Sequence, residues 1–199
     1  MINSKETYNF YLNEDKKALG ITKLPLFLFL NPFDIDIEIW LFQKTLRKCE
    51  YLYNVDKKTF FWKLRKYIAA RRLKKLSCKL GFTINPNCFG PGLRIAHRGT
   101  IVVNGQCKIG ANCTINACVN IGAKAGFDEQ VPKIGNNVYI GPGAKIYGDI
   151  TIADGCAIGA NAVVNKSCIK PNMILVGVPA IEKGEVSIII QKQIKKTKI

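Results

Sequence analysis

The chain has 199 residues, a formal net charge of +16 and a single histidine, a length that accommodates one compact domain with an appendage. Its longest apolar run, 24–30, falls far short of the ~20 residues that span a bilayer. The opening Asn3-Ser4-Lys5-Glu6 does not have the form of a secretory leader, so the expectation is a soluble, cytoplasmic protein. Charge is unevenly placed: residues 57–79 hold ten Lys or Arg and no acid, whereas 81–181 hold eight bases against four acids. Such a surface attracts polyanions, but no nucleic-acid-binding module is legible, and nucleic acid is not an expected partner. The eight cysteines form no C-x-x-C pair with zinc-like spacing. They are expected to be reduced core residues, with no metal.

Residues 1–80 carry no short repeat and read as a helical N-terminal segment. A first helix is expected over 8–19, ended by Gly20, followed by an extended connector over 24–33 rich in Pro and Phe. Asp34 or Asp36 is placed to cap a second helix running to about residue 53. Its Ile39, Trp40, Gln43, Leu46 and Arg47 recur at helical spacing. Asp56 is expected to cap a third helix through about residue 78, burying Phe60, Phe61, Leu64 and Ile68 with its bases on the opposite face. Two readings of that basic face stand side by side: a solvated surface near other subunits, or peripheral association with an anionic membrane surface.

From residue 81 a six-residue period takes over. Ile109, Ile115 and Ile121 are six apart. After an interruption the period resumes at Ile134, Ile140, Ile146, Ile152, Ile158 and Val164. Four residues after each aliphatic stands a second apolar residue: Cys113, Val119, Ala125, Val138, Ala144, Ile150, Cys156, Ala162 and Cys168. A fixed six-residue period indicates a parallel β-helix, in which three hexapeptides complete one triangular coil and the aliphatics stack in columns. Asn112, Asn136, Asn137 and Asn161 suit corners that require positive φ. The domain is expected over 81–181, with a basic C-terminal tail at 182–199. The period slips around His97, and an excursion over 124–133 carries Phe127, Asp128 and Glu129. Long excursions from a regular scaffold are commonly functional.

Three sets of residues carry a family resemblance. The segment Leu93-Arg94-Ile95-Ala96-His97-Arg98-Gly99-Thr100-Ile101-Val102-Val103-Asn104 resembles the histidine segment of serine acetyltransferase-type enzymes. Pro132-Lys133-Ile134-Gly135, Ile140-Gly141-Pro142-Gly143-Ala144 and Ile158-Gly159-Ala160-Asn161-Ala162 are similar to their repeats, and Gly177-Val178-Pro179-Ala180 to their closing turn. The resemblance covers about 81–181. It implies a mainly β fold, a left-handed parallel β-helix of hexapeptide repeats. It also implies a homotrimer, with acetyl-CoA as co-substrate in the groove between neighbouring prisms.

The resemblance makes His97 the catalytic general base. A hydroxyl is a weak nucleophile near neutral pH, and an imidazole, free pKa near ~6.5, is suited to take its proton. Pro142, Ala160, Asn165 and Lys166 match positions that contact CoA in the wider family, with Lys166 as a point charge for a phosphate. Backbone N–H groups of Gly122 or Ala123 are candidates for stabilising an oxyanion. The chain departs from the amino-acid-acetylating enzymes at Ala96, where they carry Asp, and at Gln130 and Val131, where they carry Arg and His. The missing Arg removes a bidentate partner for a substrate carboxylate. Within the wider family the helical N-terminus and residues 97–135 look most like the branch associated with bacterial surface polysaccharides, and the missing Arg fits a glycan acceptor. The leading expectation is therefore O-acetylation of a sugar hydroxyl in such a polysaccharide, with Asp128 or Glu129 orienting His97 or contacting the acceptor. The alternatives are a serine O-acetyltransferase acting on L-serine, and a non-catalytic hexapeptide scaffold.

Overall fold

The computed structural model of the chain describes residues 1–21 and 35–186. The connector expected at 24–33, Asp34 and the tail beyond residue 186 fall outside it, while Asp36, the other expected cap, lies within the second helix rather than ahead of it. Three helices come first: α1 (Lys5–Ala18), α2 (Ile35–Val55) and α3 (Phe60–Leu80). α1 starts earlier than expected because Ser4 and Thr7 form a reciprocal capping box. On α2 the residues at helical spacing are indeed inside: Ile39, Trp40, Gln43, Leu46 and Arg47 are all buried. Among the described residues no helix is long and apolar enough to cross a membrane.

α3 corrects two expectations. Its N-cap is Thr59, whose hydroxyl accepts from the Trp62 N–H, while Asp56 lies outside the helix in an ion pair with Lys66. The face turned inward carries Trp62, Ala69, Leu73 and Leu80. Phe60, Phe61, Leu64 and Ile68 are exposed instead. The apolar pattern of α3 is two-sided, and Trp62 decides the inner side by donating its indole N–H to the Leu52 carbonyl at 3.0 Å.

Past α3 the backbone winds into a left-handed, three-faced coil, with strands numbered in chain order. The first face stacks β1 (Phe82–Ile84), β3 (Ile101–Val103), β6 (Asn120–Gly122), β9 (Lys145–Tyr147) and β12 (Val163–Val164). The second stacks β4 (Lys108–Ile109), β7 (Lys133–Ile134) and β10 (Thr151–Ile152). The third stacks β2 (Arg94–Ile95), β5 (Thr114–Ile115), β8 (Tyr139–Ile140), β11 (Ala157–Ile158) and β13 (Met173–Val176), with β14 (Ile181–Glu185) added antiparallel at its end.

Register follows the six-residue period: Ile95, Ile115, Ile140, Ile158 and Leu175 stack directly over one another. Every aliphatic of the repeat from Ile109 to Val164 is buried. Ala125 departs from its expected inward slot: it lies exposed in the excursion, and Pro132, two residues before Ile134, is buried there instead. Asn112, Asn137 and Asn161 take positive φ at corners. Asn136 does not, and serves through its side chain, which accepts from the Ala111 N–H and donates to Asp154.

Candidate functional site

His97 follows β2 at the corner where the third face turns into the first. The corner is fixed by backbone bonds: the Ala96 N–H donates to the Ile115 carbonyl at 3.0 Å, and the Gly99 N–H to the Leu80 carbonyl at 3.1 Å. Ile95, inside the prism, anchors the strand end, and the His97 side chain is left outside. Continuing the register two residues past the stacked isoleucines places His97, Ala117, Pro142, Ala160 and Gly177 in one column along this corner. At a coil spacing of about 4.8 Å, Pro142 stands ~10 Å and Ala160 ~14 Å from His97 along the stack. Pro142 and Ala160 are exposed, so the column below His97 is a strip of small side chains at the surface. Gly141 allows the coils to close up here, since a Cβ would come within 2.7 Å of the Ile158 carbonyl oxygen.

The other predicted residues lie elsewhere. Asn165 stacks on Tyr147 and Gly122 at the far end of the first face, and Lys166 follows it. The excursion carrying Asp128 and Glu129 leaves from the same corner, just after Gly122. It is closed on itself: the Lys124 N–H donates to the Gln130 carbonyl and the Phe127 N–H to the Lys124 carbonyl, and the Lys124 ammonium lies over the Phe127 ring. Within one chain the first face separates Asp128 and Glu129 from His97. Among the described residues His97 makes no hydrogen bond or ion pair. The possible oxyanion donors, Gly122 and Ala123, belong to this second corner too.

Sequence reasoning missed the supports of the His97 segment. Arg47 is fully buried and uses its whole guanidinium. Nε donates to Asp15 Oδ2 at 2.7 Å, Nη1 to Glu50 and to the Phe89 carbonyl, and Nη2 to Asp15 Oδ1 and the Gly90 carbonyl. Asp15 Oδ1 also accepts from the N–H groups of Gly92 and Leu93, both at 2.9 Å. Gln43 Nε2 donates to the Leu93 carbonyl at 2.8 Å. The lead-in to His97 is thus gripped by α1 and α2. Burial pushes the Arg47 pKa down, but the carboxylates of Asp15 and Glu50 outweigh it and keep the guanidinium charged. A signal was available: a charged residue on an otherwise apolar helical stripe requires a buried counter-charge. Glu38 adds an outer tie, accepting from Lys79 at 2.6 Å and from Arg98, the neighbour of His97, at 3.1 Å. Asn116, beside the column, is buried and donates to the Ile140 carbonyl. A groove of about 870 Å³ between α3 and the first coil, lined by Leu73, Phe82 and Ile84 among others, does not include His97.

The family described as bacterial transferase hexapeptide (six repeats) matches residues 132–166. The serine acetyltransferase of Staphylococcus epidermidis is 38% identical over 121 residues, covering 59% of this chain and 56% of that protein; the chain spans about half the length of the curated relatives it matches. Brucella abortus serine acetyltransferase in complex with coenzyme A superposes over 92% of this chain and 70% of its own, with TM-score 0.68 and 26% identity. Neisseria gonorrhoeae serine acetyltransferase in complex with serine does so over 91% and 71%, with TM-score 0.63 and 25% identity.

These relatives overturn the expectation of a surface-polysaccharide enzyme, since they bear the serine acetyltransferase name and the likeness extends through the helical segment as well. The departures that prompted that expectation have a packing context: Val131 is buried, and the Gln130 N–H and carbonyl are both engaged in closing the excursion. Residues 82–176 form a hexapeptide-repeat β-helix similar in sequence and fold to those of serine acetyltransferases.

Proposed function

We propose that the chain is an acetyl-CoA-dependent O-acetyltransferase whose acceptor is the hydroxyl of serine, with His97 as general base. The observation that carries the reading is the column headed by His97 and continued by Ala117, Pro142 and Ala160. It offers a narrow donor a track of small residues ending at an imidazole. The residues fit such a donor: Pro142 and Ala160 are exposed, and the side chains beside His97 along the strip are small.

A bound thioester supplies an activated acetyl group. His97 removes the proton from the acceptor hydroxyl as its oxygen bonds to the acetyl carbon. The C–S bond breaks, and the imidazolium returns the proton to the departing sulfur, giving O-acetylserine and free CoA. Asn165 and Lys166 on one corner, and His97, Pro142 and Ala160 on another, serve a single donor only if a second copy brings its corner alongside the first. The proposal therefore includes an assembly of three chains with sites between prisms. Asp128 and Glu129 on the excursion are then available to an adjacent chain's His97.

The test is release of CoA thiol with L-serine as sole acceptor. His97→Ala is expected to lower turnover by ~10²–10⁴-fold with melting temperature and assembly unchanged. Equal turnover in the variant would remove His97 from the mechanism, and absence of thiol release by the unmodified chain would leave only the scaffold reading.

A further inference from the structure

We propose that the outward face of α3 docks the chain on an anionic lipid surface. This inference is independent of the acetyl acceptor. It starts from the reversal found in α3, where Trp62, Ala69, Leu73 and Leu80 pack inward and a second apolar set remains on the opposite side. Phe60 and Phe61 are each 75% exposed, Tyr67 58% and Ile68 55%, with Leu64 beside them. With 3.6 residues per turn, Phe60, Leu64 and Ile68 lie on one line, and Arg72, Lys75 and Lys79 continue it toward the C-terminal end. The outer surface is thus apolar over the first two turns and basic over the remainder.

Both halves point to the same partner. Exposed Phe, Leu and Ile beside Lys and Arg, on a helix that does not span, is the composition that seats a helix in the headgroup region of a bilayer. Of the ten bases over 57–79, only Lys66 and Lys79 form ion pairs among the described residues, so most of the charge is available to lipid phosphates. Each base near an anionic surface adds to the attraction. Long side chains such as Arg65 and Lys63 can extend toward phosphates while their stems cover apolar surface. The same face of a second copy is disfavoured, because it would set two acid-free basic segments against each other. A soluble polyanion would leave Phe60 and Phe61 unexplained.

The test uses the full chain and vesicles of phosphatidylcholine with or without phosphatidylglycerol. Co-sedimentation is expected only with phosphatidylglycerol present, and should weaken as salt rises. Phe60→Ser combined with Phe61→Ser, at positions already exposed, is expected to lower vesicle partitioning at least about tenfold while helical content is kept. Arg72→Glu with Lys75→Glu should abolish the preference for anionic vesicles. Cys78 is exposed on α3, and anionic vesicles should slow its reaction with a maleimide, with the exposed Cys118, outside α3, as reference. Absence of binding to phosphatidylglycerol vesicles, or unchanged binding by the serine variant, overturns the proposal. So does a serine variant whose assembly falls apart while vesicle binding persists, since the face would then be an interface between copies.

Discussion

The coil stack spreads its stability over many near-equivalent contacts, whereas the helices depend on one buried ionic centre. Ile95, Ile115, Ile140 and Ile158 are each fully buried in a column that repeats with every coil, so no single isoleucine is decisive. Arg47 has no such redundancy. It joins α1, α2 and the turn before His97 through Asp15, Glu50 and two backbone carbonyls. A repeat tolerates local loss, while a buried charge cluster fails as a unit.

The most disruptive way to test this contrast is Arg47→Met. Removing one partner of a buried ionic group costs about 3–5 kcal/mol, because the remaining charges are left uncompensated. Thermal unfolding should show a large drop in melting temperature. Replacing Arg47, Asp15 and Glu50 together by apolar residues should not restore it, because the N–H groups of Gly92 and Leu93 and the carbonyls of Phe89 and Gly90 lose their partners. Ile140→Val, in the middle of its column, is expected to cost only ~0.5–1.5 kcal/mol by denaturant titration; a loss as large as that of Arg47→Met would erase the distinction.

The smallest effects concern pH, and the coils hold most of the buried thiols that respond at its alkaline end. Burial pushes the thiols of Cys88 and Cys107 up to about 11 and that of Cys113 up to about 12. Because these folded values lie above the ordinary thiol value near ~8.5, their contribution is full below that pH. It is lost as pH rises through 11 and 12. In the helical segment the ammonium of Lys79, through its hydrogen bond, holds Glu38 below the usual carboxylate range. That tie is intact above about 4.3 and weakens as pH falls below it. Stability curves at both extremes should show alkaline loss centred on the coils. Folded protein should expose the thiols of Cys78 and Cys118 to Ellman's reagent at neutral pH, with Cys49, Cys88, Cys107, Cys113, Cys156 and Cys168 protected.

The coils were legible because their period is short and each repeat states the same requirement. Ile109 through Val164 all occupy the interior slot assigned to them. The one misassigned slot, Ala125, falls where the period is broken and counting forward no longer holds; counting back from Ile134 to Pro132 gives the right residue. α3 misled because its two apolar stripes are indistinguishable by spacing, and the choice between them rests on a tertiary contact of Trp62. At the site, His97, Pro142 and Ala160 were found as individual matches, but their alignment follows from coil register. That Asp128 and Glu129 lie across a whole face from His97 depends on where the excursion leaves the prism, which linear order does not reveal.

The last turn of the stack has a further consequence. The segment after β13 folds back over it: the Val163 N–H donates to the Gly177 carbonyl, the Ala180 N–H to the Val163 carbonyl, and β14 runs antiparallel along β13. At the opposite end α3 leads directly into β1, and Phe42 of α2 lies edge-on to Phe82 at 5.0 Å. Unpaired strand edges are templates for open-ended growth, and here both termini of the ladder meet something other than another strand of the same direction. Among the described residues both ends of the stack are thus disfavoured as templates for head-to-tail fibre growth.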